Sequence, residues 1–210
     1  MTNMWMVRGD GGNLYEDFRE RGVASIGWWQ LAEVAKPGAS RKQLIDAFAK
    51  AEPQLKHGTI VAGASQVWRF VNEIQTGDHV VTYSPANRTY LVGTITGPVE
   101  YRPDWKEEGM ALSRTVTWNP QEVKRDALGI SAKNSLGSTL TVFKVPRNAA
   151  SELLSSPTDP KAPTAPDIEI DLPDTDLDIE DQAREHIKDM IAALDPREME
   201  HLVAGILRAM

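Results

Sequence analysis

Apolar residues recur at helical spacing in three segments of the first half of the chain. A stripe on residues 40–51 predicts a helix, and Ser40 is suited to cap its first turn. A second stripe predicts a helix over residues 14–21 that ends at Gly22, and a third predicts a helix over residues 65–73. Segments with a different period separate these helices.

Short runs rich in Val, Ile, Thr and aromatic residues predict strands. These runs cover residues 4–8, 23–28, 78–83, 90–96, 113–118 and 139–145. Turn residues at 84–87 join two of the runs, which predicts a hairpin. Short strands with helices between them favour the α+β class and a small mixed β-barrel with flanking helices.

The last third of the chain has a different pattern. Residues 151–180 contain five prolines and many acidic side chains without a repeating apolar face, which predicts an acidic Pro-rich linker. Helical spacing returns over residues 179–194, and a second helix is predicted from Asp195 to the end at Met210. That last helix is amphipathic and has no cap at its end, so we interpret it as the start of a truncated domain.

Charge divides the chain in the same place. Residues 1–150 carry 18 basic and 15 acidic side chains, a net of +3, whereas residues 151–210 carry 5 and 15, a net of −10. The first part is therefore compatible with nucleic acid, and the acidic tail would repel it. No cysteine is present, no apolar run is long enough to span a membrane, and the N-terminus lacks the order of a signal peptide. We expect a cytoplasmic protein.

Three stretches of the first part resemble a known family when taken in order. They are Ile26-Gly27-Trp28, the pair of runs 77–83 and 90–95, and residues 134–143. These stretches resemble the N-terminal region of Mrr-like restriction endonucleases, which is itself similar to EVE and PUA-like barrels. Residues 200–210 resemble the first helix of the Mrr nuclease domain.

The resemblance implies a division of the chain and a function. Residues 1–150 would form an EVE/PUA-like domain that binds modified DNA, residues 151–180 a linker, and residues 181–210 the beginning of the nuclease domain. The family places its catalytic carboxylates and lysine after that helix, so the resemblance implies no catalytic residue and no cofactor in this chain. It implies that this chain is the specificity region of a modification-dependent restriction enzyme in phage defence. Such a region flips a modified base into an aromatic pocket, and modified cytosine is the favoured ligand.

Aromatic and small polar side chains are the candidates for such a pocket. Trp28 and Trp29 are adjacent, so in an extended segment they face opposite sides and one is free to line a pocket. Asp78 follows a glycine between a helix and a strand, which favours a turn hydrogen bond over base recognition. The predicted base-pocket residues are Trp5, Ser25, Trp28, Trp29, Thr82, Tyr83, Tyr90, Trp118, Asn134 and Ser135.

Basic side chains in the first part are candidates for contacts to DNA phosphates. Trp105 joins them because it lies in a polar loop, where it is suited to intercalation or to covering a pocket. The predicted backbone contacts are Arg8, Arg41, Lys42, Arg69, Arg88, Arg102, Trp105, Arg114, Lys124, Arg125 and Lys133.

Three other functions remain open on the sequence alone. One is an RNA reader on the same barrel, because the bases of single-stranded RNA also stack on aromatics. A protein-interaction module would use the aromatics to hold a partner, with the C-terminal helices forming a homodimer. A nuclease would use Pro103-Asp104 with Glu122 and Lys124, but Asn119-Pro120 disfavours the strand that this motif needs. The four histidines are scattered without metal-ligand spacing, so no metal site is predicted.

Overall fold

The computed structural model of the chain describes residues 2–138, 140–155 and 176–209. Its strands are β1 (Met4–Val7), β2 (Val23–Ile26), β3 (His79–Ser84), β4 (Thr89–Tyr101), β5 (Leu112–Lys124) and β6 (Val142–Lys144). Its helices are α1 (Tyr15–Arg21), α2 (Arg41–Ala51), α3 (His57–Trp68), α4 (Ile130–Leu136), α5 (Arg147–Leu154), α6 (Asp176–Ala192) and α7 (Pro196–Ala209). The predicted α+β class is confirmed.

The strands form one mixed sheet in the order β2-β5-β4-β3-β1-β6. β1 pairs in parallel with β3, and the other neighbours are antiparallel, including the predicted β3–β4 hairpin. In the described residues β2 and β6 each have a single neighbour, so this sheet is open where the sequence predicted a barrel. Its two longest strands, β4 and β5, have 13 residues each and are neighbours.

Strands β1 and β3 are buried on both faces. Trp5 and Val7 of β1 join a large core with α1, α2 and α3, whereas Met4 and Met6 point the other way into a small core with α4 and α5. Successive side chains of a strand alternate between faces, so a strand covered on both sides becomes apolar throughout. Burial on both faces therefore explains the unbroken apolar run of β1.

Several elements extend beyond the predicted bounds. β4 continues through Gly97 and Pro98, and β5 through Asn119 and Pro120. The pairing register between the two strands shifts at both places, and such bulges accommodate a proline that cannot donate to the ladder. α3 starts at His57 because packing of its apolar side chains overrides the weak helix propensity of its glycines.

Local caps match the sequence prediction. The Ser40 hydroxyl accepts from the Gln43 amide at 3.2 Å, and the Gln43 side chain accepts from the Ser40 amide at 2.8 Å, which completes a capping box. Gly22 ends α1 in the left-handed conformation at φ +64°. Asp78 accepts from the Gln75 amide at 3.1 Å, which confirms its predicted turn role.

The two C-terminal helices are present as predicted. α6 follows residues 156–175, so most of the predicted linker lies outside the described residues. α7 carries an exposed apolar face with Val203, Ile206 and Leu207. In the described part of the chain, no helix has the length and apolar character needed to cross a membrane. The same residues contain no group of three His, Asp or Glu side chains that could hold a metal ion.

Candidate functional site

A cleft of about 690 Å³ opens between segments that are distant in sequence, and its volume is within the size range of ligand pockets. Five segments converge on it: the turn after β1 at Gly9 and Asp10, the loop after β2, the end of α2 with the residues that follow it, the loop before β5, and Thr141 just before β6. We call it the Trp28 cleft. The lining residues on which the argument depends are Trp28, Gln30, Phe48, Glu52, Glu107 and Glu108.

Gly63 of α3 determines how the aromatic wall packs. A Cβ atom at this position would lie 2.7 Å from Cε1 of Phe48 and 3.1 Å from the indole nitrogen of Trp28. Only a residue without a side chain lets both rings approach the helix this closely. Trp28 is half-buried there, with its other surface open to the cleft.

Hydrogen bonding of the indole nitrogen distinguishes Trp28 from three other tryptophans. Trp5, Trp68 and Trp118 each donate a hydrogen bond, to Asp78, to the Ala39 carbonyl and to the Phe18 carbonyl respectively. Among the described residues, the indole nitrogen of Trp28 has no such partner. The indole nitrogen of Trp28 instead lies against Gly63 of α3, whereas the other three indoles hold the fold together through their hydrogen bonds.

The cleft is acidic. Glu52 accepts from Gln30 at 2.7 Å and from Gln54 at 2.5 Å, so two amides fix its carboxylate. Glu108 is paired with Arg21, and Asp10 accepts from Asn13 at 3.0 Å. Carboxylates only accept hydrogen bonds when ionised, so this lining favours a ligand with donors and repels phosphate.

Cations cover the two tryptophans beside the cleft. The Lys106 ammonium lies 3.5 Å from the ring centroid of Trp29, which is 41% exposed. The guanidinium groups of Arg21 and Arg102 lie 5.0 and 5.4 Å from the Trp105 ring. These cation–π contacts place positive charge around an acidic opening.

A second group of chemistry-bearing residues lies on the small-core side of the sheet. We call it the arginine–tyrosine cluster, and it consists of Arg88, Arg125, Tyr83 and Tyr90. The two tyrosine rings are 4.7 Å apart, and Arg125 donates to the Tyr90 hydroxyl at 2.5 Å. The Arg125 side chain is 3% exposed.

Asp189 of α6 binds this cluster. Arg125 holds its carboxylate through Nε at 3.0 Å and Nη2 at 2.7 Å, and Arg88 adds a contact at 2.7 Å. Burial alone would raise the pKa of Asp189, but the hydrogen bonds from Arg125 and Arg88 outweigh it and lower the pKa to about 2. The Asp189 carboxylate thus anchors the C-terminal segment to the sheet.

A family model described as a domain of unknown function, DUF8426, matches residues 5–145. The chain belongs to the DUF8426 family. The matched region contains the Trp28 cleft and the arginine–tyrosine cluster, whereas Asp189 lies outside it. No curated protein and no solved structure matches the chain.

The structure brings one predicted base-pocket residue, Trp28, to the cleft of the DUF8426 domain. Trp5 is buried in the large core and Trp118 packs against it. Ser25 donates to the Ser113 hydroxyl at 2.8 Å, and Thr82 is 1% exposed with no hydrogen-bond partner for its hydroxyl in the described residues.

The other predicted pocket residues lie elsewhere. Tyr83 and Tyr90 belong to the arginine–tyrosine cluster and are buried in the small core. Asn134 is exposed and Ser135 half-buried on α4, which covers that same core. Trp29 is exposed under Lys106 but does not line the cleft.

The predicted phosphate contacts divide by burial. Arg114 is 4% exposed and donates to the carbonyls of Phe70, Val71 and Gly97, and burial lowers its pKa to about 10. Arg8 donates to the Leu136 carbonyl, and Lys133 to the Asp126 carbonyl at 3.5 Å. Outside the cluster, the remaining candidates are exposed or half-buried: Arg41, Lys42, Arg69, Arg102, Trp105 and Lys124.

The residues of the nuclease motif are far apart. Glu122 and Lys124 do lie on a strand, β5, despite Asn119-Pro120, but Glu122 pairs with Arg19 at 2.8 Å. Asp104 lies beyond the opposite end of the same hairpin, where Tyr101 pairs with Leu112. About ten residues of strand separate Leu112 from Glu122, a span of roughly 30 Å. These groups do not share a metal ion in this structure.

Sequence reasoning missed most of the cleft. Phe48 reads as part of the apolar stripe of α2, and Gln30, Glu52 and Glu108 read as surface residues. They come from three separate segments, so no local spacing connects them. The one signal that pointed here was the tryptophan pair after β2.

Proposed function

We propose that the DUF8426 domain of this chain reads a modified base in DNA by accepting it, flipped out of the duplex, in the Trp28 cleft. The observation that carries the proposal is Trp28 itself, a half-buried indole that forms one wall of a ligand-sized cleft. Aromatic stacking returns about 1–3 kcal/mol per base, which offsets the few kcal/mol needed to extract it.

The acidic lining bears on which base is accepted. Cytosine and adenine present an exocyclic amino group, and carboxylates accept from such groups. Thymine has no exocyclic amino group and presents two carbonyl oxygens, which an ionised carboxylate repels. Glu52 and Glu108 therefore support modified cytosine or modified adenine as the ligand, with cytosine the favoured choice.

The wider setting of the proposal follows the resemblance to Mrr-like endonucleases. We propose that the open sheet is a variant of the EVE/PUA-like barrel, with α1 to α3 closing one side. Residues 181–210 then begin a nuclease domain in a restriction enzyme of phage defence, and this chain acts as its cytoplasmic specificity region. The exposed apolar face of α7 supports a homodimer through the C-terminal helices.

A second candidate function follows from the same lining. An aromatic wall with several carboxylates also suits a cationic ligand, such as a methylated ammonium group. In that case the chain is a protein-interaction module that binds a methylated lysine side chain. The observation that favours it is the acidity of the cleft, with Asp10, Glu52, Glu107 and Glu108 in the lining.

Binding of the 210-residue chain to matched probes tests the proposal. The probes are duplexes that are unmodified or carry methylated, hydroxymethylated or glucosylated cytosine or methylated adenine, a single-stranded RNA, and a trimethyl-lysine peptide. We expect a preference of about tenfold or more, or 1.4 kcal/mol, for one modified duplex over its unmodified form. Trp28→Ala is expected to remove that preference.

The matched control is Trp68→Ala, which removes the same side chain from a position outside the cleft. It is expected to lower stability while the preference for the modified duplex remains. Equal binding to all duplexes by the unaltered chain would contradict the proposal. Binding of the peptide alone would establish the second candidate, and binding of the RNA alone would establish an RNA reader.

A further inference from the structure

The arginine–tyrosine cluster is built to hold an anion, and the anion it holds belongs to a separate segment. Arg125 presents two parallel N–H donors to the Asp189 carboxylate, the fork geometry that suits carboxylate and phosphate equally. Arg88 approaches the same carboxylate oxygen as Nε of Arg125. Asp189 reaches the cluster from α6, beyond the matched family region and after residues 156–175.

Comparison with Arg114 shows what is unusual about this site. Arg114 is equally buried, but backbone carbonyls of its own domain surround its guanidinium, and in the described residues it hydrogen-bonds to no carboxylate. Arg125 also donates to the Lys133 carbonyl and to Tyr90, yet its Nε–Nη2 edge faces Asp189. The domain therefore surrounds one buried arginine with its own carbonyls, whereas the Nε–Nη2 edge of the other binds a carboxylate from beyond the matched family region.

Further cations lie near the cluster, together with a carboxylate of the same domain. Arg8 and Arg125 lie 5.6 and 5.7 Å from the centroid of the Tyr83 ring, and Lys124 precedes Arg125 in the chain. Asp126 follows Arg125, and its carboxylate accepts from Arg88 at 2.6 Å. The segment that delivers Asp189 belongs to the part of the chain with a net charge of −10, whereas the part before it has +3. An acidic segment bound to a basic surface competes with any other polyanion for that surface.

We propose that Arg88 and Arg125 form a phosphate-binding site for the DNA backbone and that Asp189 of α6 occupies it as an internal competitor. Duplex binding displaces α6 from the cluster, so the C-terminal segment is held on the sheet without DNA and released with it. This inference rests on the proposed function for its ligand, and it concerns phosphate contacts rather than the base in the Trp28 cleft. By reciprocity, whatever frees α6 strengthens DNA binding by the same factor.

Asp189→Asn tests the competition, with Glu200→Gln as the matched control. Both changes remove one negative charge from the C-terminal helices, but Glu200 is exposed on α7 and has no contact with the cluster in the described part of the chain. We expect Asp189→Asn to tighten binding to a short unmodified duplex by at least about fivefold. The slope of log Kd against log salt should steepen by about 1 to 2, since the Asp189 carboxylate no longer competes with phosphates for one or two arginines.

Adding Arg88→Gln to Asp189→Asn should return most of the gained affinity. If Asp189→Asn and Glu200→Gln bind the duplex with the same affinity and the same salt slope, the proposal is overturned, and the Asp189 contact is a purely structural ion pair. The ratio of modified to unmodified binding is measured in the same titrations. An equal change in affinity for both duplexes is attributed to the cluster. If the chain shows no preference for the modified duplex, the proposal for the Trp28 cleft fails instead.

Release of α6 is measured directly by a spin label. The chain contains no cysteine, so Ala183→Cys, at an exposed position on α6, gives a single labelling site. We expect the electron paramagnetic resonance spectrum to narrow on addition of the unmodified duplex, and to be narrow from the start in Asp189→Asn. A spectrum that stays broad at saturating duplex would contradict displacement.

Discussion

Replacing Asp78 with alanine tests whether this buried carboxylate holds the fold together or reads a base. Asp78 is 6% exposed and accepts from the amide of Asn3 at 3.0 Å, the indole of Trp5 at 3.0 Å and the amide of Gln75 at 3.1 Å. It therefore connects the start of β1, the side chain of β1 that enters the large core, and the turn before β3.

The loss of stability expected for Asp78→Ala follows from the burial of the three donors. Removing one partner so that a buried donor is unsatisfied costs about 1–3 kcal/mol. Trp5 is 3% exposed and takes the full cost, whereas the amides of Asn3 and Gln75 are partly accessible to water. The expected loss is about 3 to 5 kcal/mol, or a fall in Tm of roughly 6 to 20 °C for a domain of this size.

Thermal unfolding followed by circular dichroism measures the loss, with Asp46→Ala as the control because Asp46 is exposed on α2. That control should change stability by no more than about 0.5 kcal/mol. Well below its Tm, Asp78→Ala should keep the preference for modified DNA. A Tm equal to that of the control, or loss of the preference in the folded protein, would refute the structural role assigned to Asp78.

Two further predictions concern the cleft and the cluster. Gly63→Ala should push Phe48 and Trp28 apart and lower the free energy of unfolding by about 1 kcal/mol, after the gain in helix propensity is included. It should also weaken binding of the modified duplex more than binding of the unmodified one. The control is Gly205→Ala on α7, where a Cβ atom has open space and should stabilise the helix; if both variants had the same effects on duplex binding and on thermal stability, the packing argument would be contradicted. The contact of Asp189 with the arginines stabilises the folded chain only while the carboxylate is ionised. Its stabilisation should therefore be complete above about pH 4, near the pKa of Asp189 in the unfolded chain, and should be lost as the pH falls towards the folded pKa of about 2. The spin label at position 183 reports this loss, and a label already mobile at pH 5 would contradict it.

Local features of the fold were predictable from the sequence. The capping box at Ser40, the glycine at the end of α1 and the β3–β4 hairpin each depend on a few neighbouring residues. The lengths of β4 and β5 were not predictable from the sequence, because their bulges at Gly97-Pro98 and Asn119-Pro120 depend on pairing between the two strands.

The site was less predictable than the fold, for a physical reason. Trp5 and Tyr83 lie on strands buried on both faces, so their patterns carry no sign of which aromatic faces a cavity. Trp28 differs from Trp5 in that its indole finds no partner in the described residues, and that difference arises from contacts distant in sequence. The arginine–tyrosine cluster likewise depends on Asp189, 64 positions from Arg125.

Base flipping into the Trp28 cleft is tested most directly by a fluorescent neighbour in the DNA. The probe is the modified duplex that the chain binds most tightly, with 2-aminopurine beside the modified base. Its emission is quenched by stacking, so it should rise when the chain saturates the duplex and rise far less with Trp28→Ala. Emission that stays at the level of the free duplex at saturation would show that the base remains stacked, and would contradict the account.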